Sequence, residues 1–318
     1  MSRRDKPRAT TADRRLAEFG VVIVMVLWAG NFIVVKGALG TLPPVGFTAL
    51  RFGLAGLCLL ALMRWRDGAI RLPHGDIRSI ALLGIIGFGV YQMLWVAALQ
   101  TIPVGDSALL IATTPVMTAL LAMATGADSP NRVKLVGSII SFLGVATVIV
   151  AGQGLNLGAS VGGDLLTLGA AACWAIYTVG GAGILRRHTP LMTTTWSIVA
   201  GTLFMAPIGI AQMATADLSA VGQSAVFAII YAGTLAAGVP NVVVFHGVKL
   251  LGPTRISALQ TLVPAFALVL AAIFLGEPIR PAQLVGGVII LAGVALLRRG
   301  SWPGRPMGGP GLAQERSH

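Results

Sequence analysis

The chain has 318 residues with a net charge of +12, yet only 11% of them are charged and 55% are hydrophobic. A soluble globular chain carries about 25% charged residues, so this composition excludes a water-coated globule and points to an all-α integral membrane protein with lipid as its main outer solvent. Its two cysteines, Cys58 and Cys173, lie in apolar runs and exclude both a disulfide framework and a CxxC redox motif.

Residues 1–17 form a basic tail expected on the cytoplasmic side. The apolar run that follows contains Asn31, reaches Lys36 and offers no small-residue cleavage site, so it is expected to remain as the first transmembrane helix rather than act as a leader. A crossing needs about 20 mainly apolar residues. Windows of that kind fall at 18–37, 44–63, 77–99, 104–125, 133–151, 164–185, 191–212, 222–247, 254–276 and 281–298, which makes ten spans. Pro44, Pro103, Pro190, Pro253 and Pro281 sit at or beside span starts, where a missing N–H costs little.

Polar and aromatic residues survive inside several spans. Trp28 lies at the middle of span one with Asn31 three residues on, and Trp174 lies at the middle of span six with Tyr177 three residues on. Tryptophan ordinarily prefers the headgroup interface. These four are therefore expected to face a central aqueous cavity, the alternative being tight packing. Lys36, near the outer end of span one, either snorkels to the interface or takes part in a gate. Arg51 lies roughly 10 Å inside span two at about 1.5 Å per residue, a depth at which an unpaired charge is expensive. Asp106, Asp164 and Glu277 are its candidate partners, and either an outer gate or attraction of a substrate carboxylate explains it.

Span three carries Tyr91, Gln92 and Trp95, and span eight carries Asn241, Phe245 and His246 at matching positions. His246 is either titratable near neutral pH or a hydrogen-bonded structural group. Span four has Thr113 and Thr114 beside Pro115, and span nine has Gln260 and Thr261 before Pro264. A mid-helix proline frees a carbonyl that needs another partner. The carboxylates Asp106, Asp164 and Glu277 all map near the outer ends, and none lies near the middle of a span. The usual intramembrane proton relay is thus missing unless His246 serves, and no metal or cofactor is expected. Residues 299–318, rich in Gly and Pro, are expected to form a disordered cytoplasmic tail.

With the N-terminus inside, twenty of the 23 Lys and Arg residues fall in tails or loops on that one side. Only Arg280 falls opposite, and Lys36 and Arg51 lie within spans. This is the positive-inside pattern, so the basic excess reflects topology and anionic headgroups, and no nucleic-acid partner is expected. Both termini are then cytoplasmic.

The chain also repeats itself. Residues 115–146, PVMTALLAMATGADSPNRVKLVGSIISFLGVA, match residues 264–295, PAFALVLAAIFLGEPIRPAQLVGGVIILAGVA, at a shift of 149. A shift of 146 brings Trp28 onto Trp174 and Pro44 onto Pro190. Five spans per unit is an odd number, so units 18–152 and 162–298 are expected to be inverted-topology repeats, the architecture of many secondary transporters. Glycines seven apart, Gly137/Gly144 and Gly286/Gly293, are expected to let helices pack closely.

The first-span motif WAGNFIVVK, Pro44 and Arg51 in the second span, and the LGEP segment with its Gly-rich helix resemble the EamA family of the drug/metabolite transporter superfamily. The resemblance spans about residues 18–298 and implies ten helices, export of amino acids or related metabolites, and a bacterial inner-membrane location. Similarity to exporters of the YddG type implies an aromatic-bearing cavity, with Trp28, Tyr91, Trp95, Trp174 and Tyr177 on its wall. One departure is TGADSP in the first half where the second has LGEP.

The expected function is a secondary transporter or facilitator with a small-molecule substrate, its state as monomer or homodimer left open. The candidate binding residues are Trp28, Asn31, Tyr91, Gln92, Trp95, Trp174, Tyr177, Asn241, His246 and Gln260, with Lys36, Arg51 and Asp106 in gating or charge pairing. A membrane sensor or scaffold is the alternative, although loops and tails are too short for an output domain. An intramembrane enzyme lacks HExxH, GxGD, GxSxG and any in-span carboxylate pair.

Overall fold

The computed structural model describes residues 11–152, 159–185, 187–217, 221–238, 240, 243–244 and 259–300. Asn241, Phe245, His246 and the tail from residue 301 onward lie outside these residues. The described chain is helical throughout. Helix α1 runs Thr11–Ala38 and so begins within the stretch expected as tail, followed by α2 (Pro44–Asp67). Next, α3 (Ile77–Gly84) passes through a π-helical segment (Ile85–Val90) into α4 (Tyr91–Thr101). Then come α5 (Val104–Ile111), α6 (Thr114–Ala124), α7 (Arg132–Gly152), α8 (Ala159–Ile184) and α9 (Pro190–Thr215). Helix α10 (Gln223–Ile230) continues as a second π-helical segment (Tyr231–Gly238), and α11 (Leu262–Leu275) and α12 (Pro281–Gly300) complete the order.

Among the described residues, eight helices are long and apolar enough to cross a membrane, counting Ile77–Thr101 and Val104–Ala124 as one helix each. They coincide with the expected spans one to seven and ten. In the other two windows the described residues form shorter apolar helices, Gln223–Gly238 and Leu262–Leu275. The surface suits lipid. Leu143, Leu203, Ile210, Phe274 and Val288 are exposed, as a lipid-facing surface allows.

Local chemistry sets the helix ends. Proline opens α2, α9 and α12, where its fixed φ suits the first turn. Gly68 and Gly276, at φ 71° and 66°, close α2 and α11 in the left-handed region that side chains avoid. In span four, Pro115 has no N–H to offer the carbonyl of Ile111, and the chain breaks between α5 and α6. The Thr114 hydroxyl donates to that carbonyl at 2.6 Å, and the Thr113 hydroxyl donates to Leu110 at 2.6 Å. The two threonines thus help to satisfy the carbonyls at the break.

Packing without a hydrophobic driving force needs close backbone approach, and the glycines supply it. A Cβ on Gly137 would stand 2.7 Å from the carbonyl oxygen of Gly293, and one on Gly144 would stand 2.7 Å from that of Gly286. The contacts are reciprocal, at 2.6 Å from Gly293 to Gly137 and 2.9 Å from Gly286 to Gly144. Ascending positions on α7 meet descending positions on α12, so the two helices run antiparallel. Helices α2 and α9 pair the same way, with Gly46 against Gly209 and Gly56 against Val199.

Gly144→Leu and Gly286→Leu are each expected to lower the thermal stability of detergent-purified protein, by about 1–3 kcal/mol for an overpacked interface. Gly183→Ala, where an added Cβ meets nothing within 4 Å, is the control. Melting curves by size-exclusion fluorescence check both.

Candidate functional site

A cavity of about 660 Å³ lies between the helices, within the range of sites for small ligands. Helix α1 contributes Trp28, Asn31 and Phe32, α2 contributes Arg51 and Phe52, and the π segment with α4 contributes Phe88, Tyr91, Gln92 and Trp95. Trp174 comes from α8, and Gln260, Thr261 and Pro264 come from the start of the α11 region. The lining continues to Asp128 and Arg298 at one end, and among the described residues it includes none of 33–50, 96–107 or 265–293. The cavity is thus displaced toward the end that carries Asp128 and Arg298.

One wall is aromatic. Phe88 packs edge-on against Trp174 at 5.6 Å and against Tyr177 at 5.2 Å, and Tyr91 lies 5.5 Å from the Trp174 ring. Trp95 meets Phe32 edge-on at 5.1 Å. Tyr177, expected on the wall, packs behind it instead. Its ring fills the notch left by Gly87, where an added Cβ would stand 2.6 Å from Tyr177 Cγ. Seven of the expected binding residues, Trp28, Asn31, Tyr91, Gln92, Trp95, Trp174 and Gln260, line the cavity, as does Arg51.

The polar groups of the lining differ in how they are satisfied. Trp28 Nε1 donates to the carbonyl of Ala236 at 2.9 Å. Ala236 lies in the π-helical segment 231–238, so the indole ties α1 to that segment. The Tyr231 hydroxyl donates to Leu27 at 2.9 Å, joining the same π segment to α1. Arg51 donates from Nη2 to Gln92 Oε1 at 2.7 Å, so its partner is an amide rather than one of the three carboxylates considered from sequence.

Those carboxylates are engaged elsewhere. Glu277 accepts from the backbone N–H of Val104 at 2.9 Å and of Gly105 at 3.3 Å, capping the N-terminus of α5. Asp106 accepts from Gln283 Nε2 at 2.7 Å and stands 3.8 Å from Arg280. Lys36 neither snorkels freely nor meets a carboxylate at bonding distance; its Nζ donates to the carbonyls of Leu99 and Ile102 at 2.5 and 2.7 Å, at the C-terminal end of α4. Gln212 accepts from Val45 at 3.0 Å and Gly46 at 3.2 Å, capping α2. All these links bind the ends of helices remote from the cavity's displaced end. At that displaced end, Asp128 pairs with Lys134 at 2.6 Å. Asp76 joins Arg187 and His188 at 2.8 and 2.9 Å.

Sequence reasoning named Glu277 only as a partner for Arg51 and did not single out Gln212 or Gln283. The signal for Glu277 was present in the LGEP segment, but its target, the start of α5, lies more than 170 residues away.

Comparison with known proteins now gives the family. The model of the EamA-like transporter family matches the chain twice, over residues 15–150 and 161–299. A probable terminal-alkyne amino-acid exporter of Streptantibioticus cattleyicolor is 30% identical over 286 residues, covering 89% of this chain and 93% of its own. The threonine/homoserine exporter RhtA of Escherichia coli K12 is 29% identical, with 86% and 89% covered. The uncharacterized transporter YyaM of Bacillus subtilis is 28% identical, with 85% and 89% covered. A protein of known crystal structure shares the fold with a TM-score of 0.63 at 19% identity, covering 89% of this chain and 97% of its own. With apolar helices of spanning length and two matched units, the chain is a multi-pass membrane protein that belongs to the EamA-like transporter family.

Proposed function

We propose that this protein exports small neutral amino acids, aromatic ones among them, by alternating access around the cavity. The observation that carries the reading is the cavity itself: an aromatic-lined space of about 660 Å³ with a few convergent polar groups, reaching one end of the helix bundle and stopping short of the other. Such a shape suits a solute held at mid-depth and released to one side at a time. The names of two relatives, an amino-acid exporter and a threonine/homoserine exporter, support the substrate class.

On this reading the chain crosses the bacterial inner membrane ten times with both termini in the cytoplasm. The units 18–152 and 162–298 are inverted repeats, flanked by the cytoplasmic tails. Two observations support that arrangement. The helices that end the two halves, α7 and α12, pack antiparallel through equivalent glycines, as an axis in the membrane plane requires. Links between helix ends also respect the alternation: Asp76 with Arg187 joins two inner ends, and Glu277 with Val104 joins two outer ends. The cavity then faces the cytoplasm, and Lys36, Glu277, Asp106 and Gln283 form the closed outer gate. Trp28, Asn31, Tyr91, Gln92, Trp95, Trp174 and Gln260 contact the solute, with Tyr177 supporting Trp174; Asn241 and His246 belong to the same proposed set from span eight.

Protein in liposomes is expected to give saturable flux from a panel of radiolabelled amino acids. Trp174→Ala is expected to raise KM roughly threefold to tenfold through loss of aromatic contact. No flux for any member of the panel would end the transport reading.

Glu277→Gln keeps the shape of the gate but removes the charge facing two backbone N–H groups. It is expected to loosen the outer end. A cysteine introduced at Ala108, on otherwise cysteine-free protein, should then label faster with an impermeant thiol reagent added from outside. Labelling unchanged from the Glu277 parent removes this cap from the gate.

A further inference from the structure

Arg51 is 2% exposed and belongs to the cavity lining. Its guanidinium makes the bond to Gln92, while Nε is buried with no hydrogen-bond partner. The rings of Phe47, Phe52 and Trp95 surround Cζ at 5.5, 4.9 and 5.5 Å. Aromatic faces attract a cation but do not neutralise it, and an uncompensated buried charge is costly. The carboxylates nearest in the expected topology are bound to other groups, Glu277 to the start of α5 and Asp106 to Gln283.

Packing does not explain why an arginine stands here. Gly233 lies against the backbone carbonyl of Arg51, and Gly84 lies against the backbone carbonyl of Ser197. Ser197 follows Arg51 by 146 residues, the same shift that carries Trp28 onto Trp174. The equivalent helix crossing is thus made with serine in the other half, and the guanidinium is extra to it. A second donor stands beside it. Trp95 is 3% exposed, lines the cavity, and its Nε1–H is buried with no partner.

A planar cation and an indole N–H, both short of acceptors on one wall of a cavity, suit a carboxylate. We propose that Arg51, with the indole N–H of Trp95, is the anchor for the carboxylate of the transported solute, and that it makes the cavity select carboxylates over the corresponding amides. Gln92 holds the guanidinium fork in place, and the three rings exclude water from it. This assignment rests on the export reading, and deepens it by naming what the site recognises.

The test uses L-phenylalanine and L-threonine, each against its carboxamide, with the full chain in liposomes and in detergent. Wild type is expected to move each acid about tenfold or more faster than its amide, since a buried charge pair discriminates strongly. Arg51→Gln should bring the acid-to-amide ratio toward unity, Arg51→Lys should keep part of it, and Trp95→Phe, which removes only the N–H donor, should lower it. A ratio unchanged in Arg51→Gln, or a wild type that moves amide and acid equally, overturns the anchor. If Arg51→Gln does not fold, an unchanged ratio in Trp95→Phe and Arg51→Lys overturns it as well.

If wild type moves neither acid, the export reading falls and binding decides the anchor separately. Titration of tryptophan fluorescence in detergent should then show acid binding by wild type that Arg51→Gln or Trp95→Phe weakens. No acid binding by wild type, or equal binding by the variants, overturns it.

Discussion

A backbone carbonyl or N–H inside lipid has no water to turn to, and much of this structure follows from that constraint. Breaks in the described helices create orphan groups, and side chains, several of them from distant segments, are placed to meet them. Glu277 meets the first N–H groups of α5, Gln212 those of α2, Lys36 the last carbonyls of α4, and Trp28 the Ala236 carbonyl in the second π-helical segment. These polar residues look anomalous in apolar runs until their backbone partners are known. The same constraint isolates Arg51, whose polar atoms serve no helix end.

A second constraint is that apolar side chains gain little by leaving lipid for protein, so helices adhere where backbones come close. The glycine contacts between α7 and α12 and between α2 and α9 meet it in matching ways. The cavity between them is lined unevenly: the equivalent of Arg51 is Ser197, and Asn31 on α1 corresponds to Tyr177 on α8. Related scaffolding with a one-sided lining is what a gene duplication leaves when packing is retained and the site diverges.

Much of this was legible in the sequence. Hydropathy windows located the eight helices of spanning length because that length is a physical requirement, and glycine spacing located the close contact between α7 and α12. Mid-span Trp28 and Trp174, with Tyr91, Gln92 and Trp95, located the cavity wall, since polarity at such depth needs a reason. The rest depends on distances that spacing along one helix cannot give. Tyr177 shares a helix face with Trp174 by the three-residue rule, yet the notch at Gly87 draws its ring behind the wall. Lys36 and Glu277 showed as charges near span ends, but a cap is defined by the segment it serves, and those segments are far away in sequence. The π-helical segments at 85–90 and 231–238 had no signal beyond scattered glycines.

The two kinds of contact also differ in what it takes to undo them, and that bears on the proposed cycle. Parting α7 from α12 would separate backbones that meet closely at Gly137, Gly144, Gly286 and Gly293, with no compensating partner in lipid. The end that the proposed topology places outside also carries a handful of polar links, each worth about 0.5–3 kcal/mol net. Water entering that end can replace every one of them, since Glu277, Lys36 and Asp106 are well solvated once exposed. Two states separated by a few kcal/mol are what a small solute's differential binding can shift. On the proposed cycle, a bundle with close glycine seams and hydratable end caps would open at its ends while the seams hold.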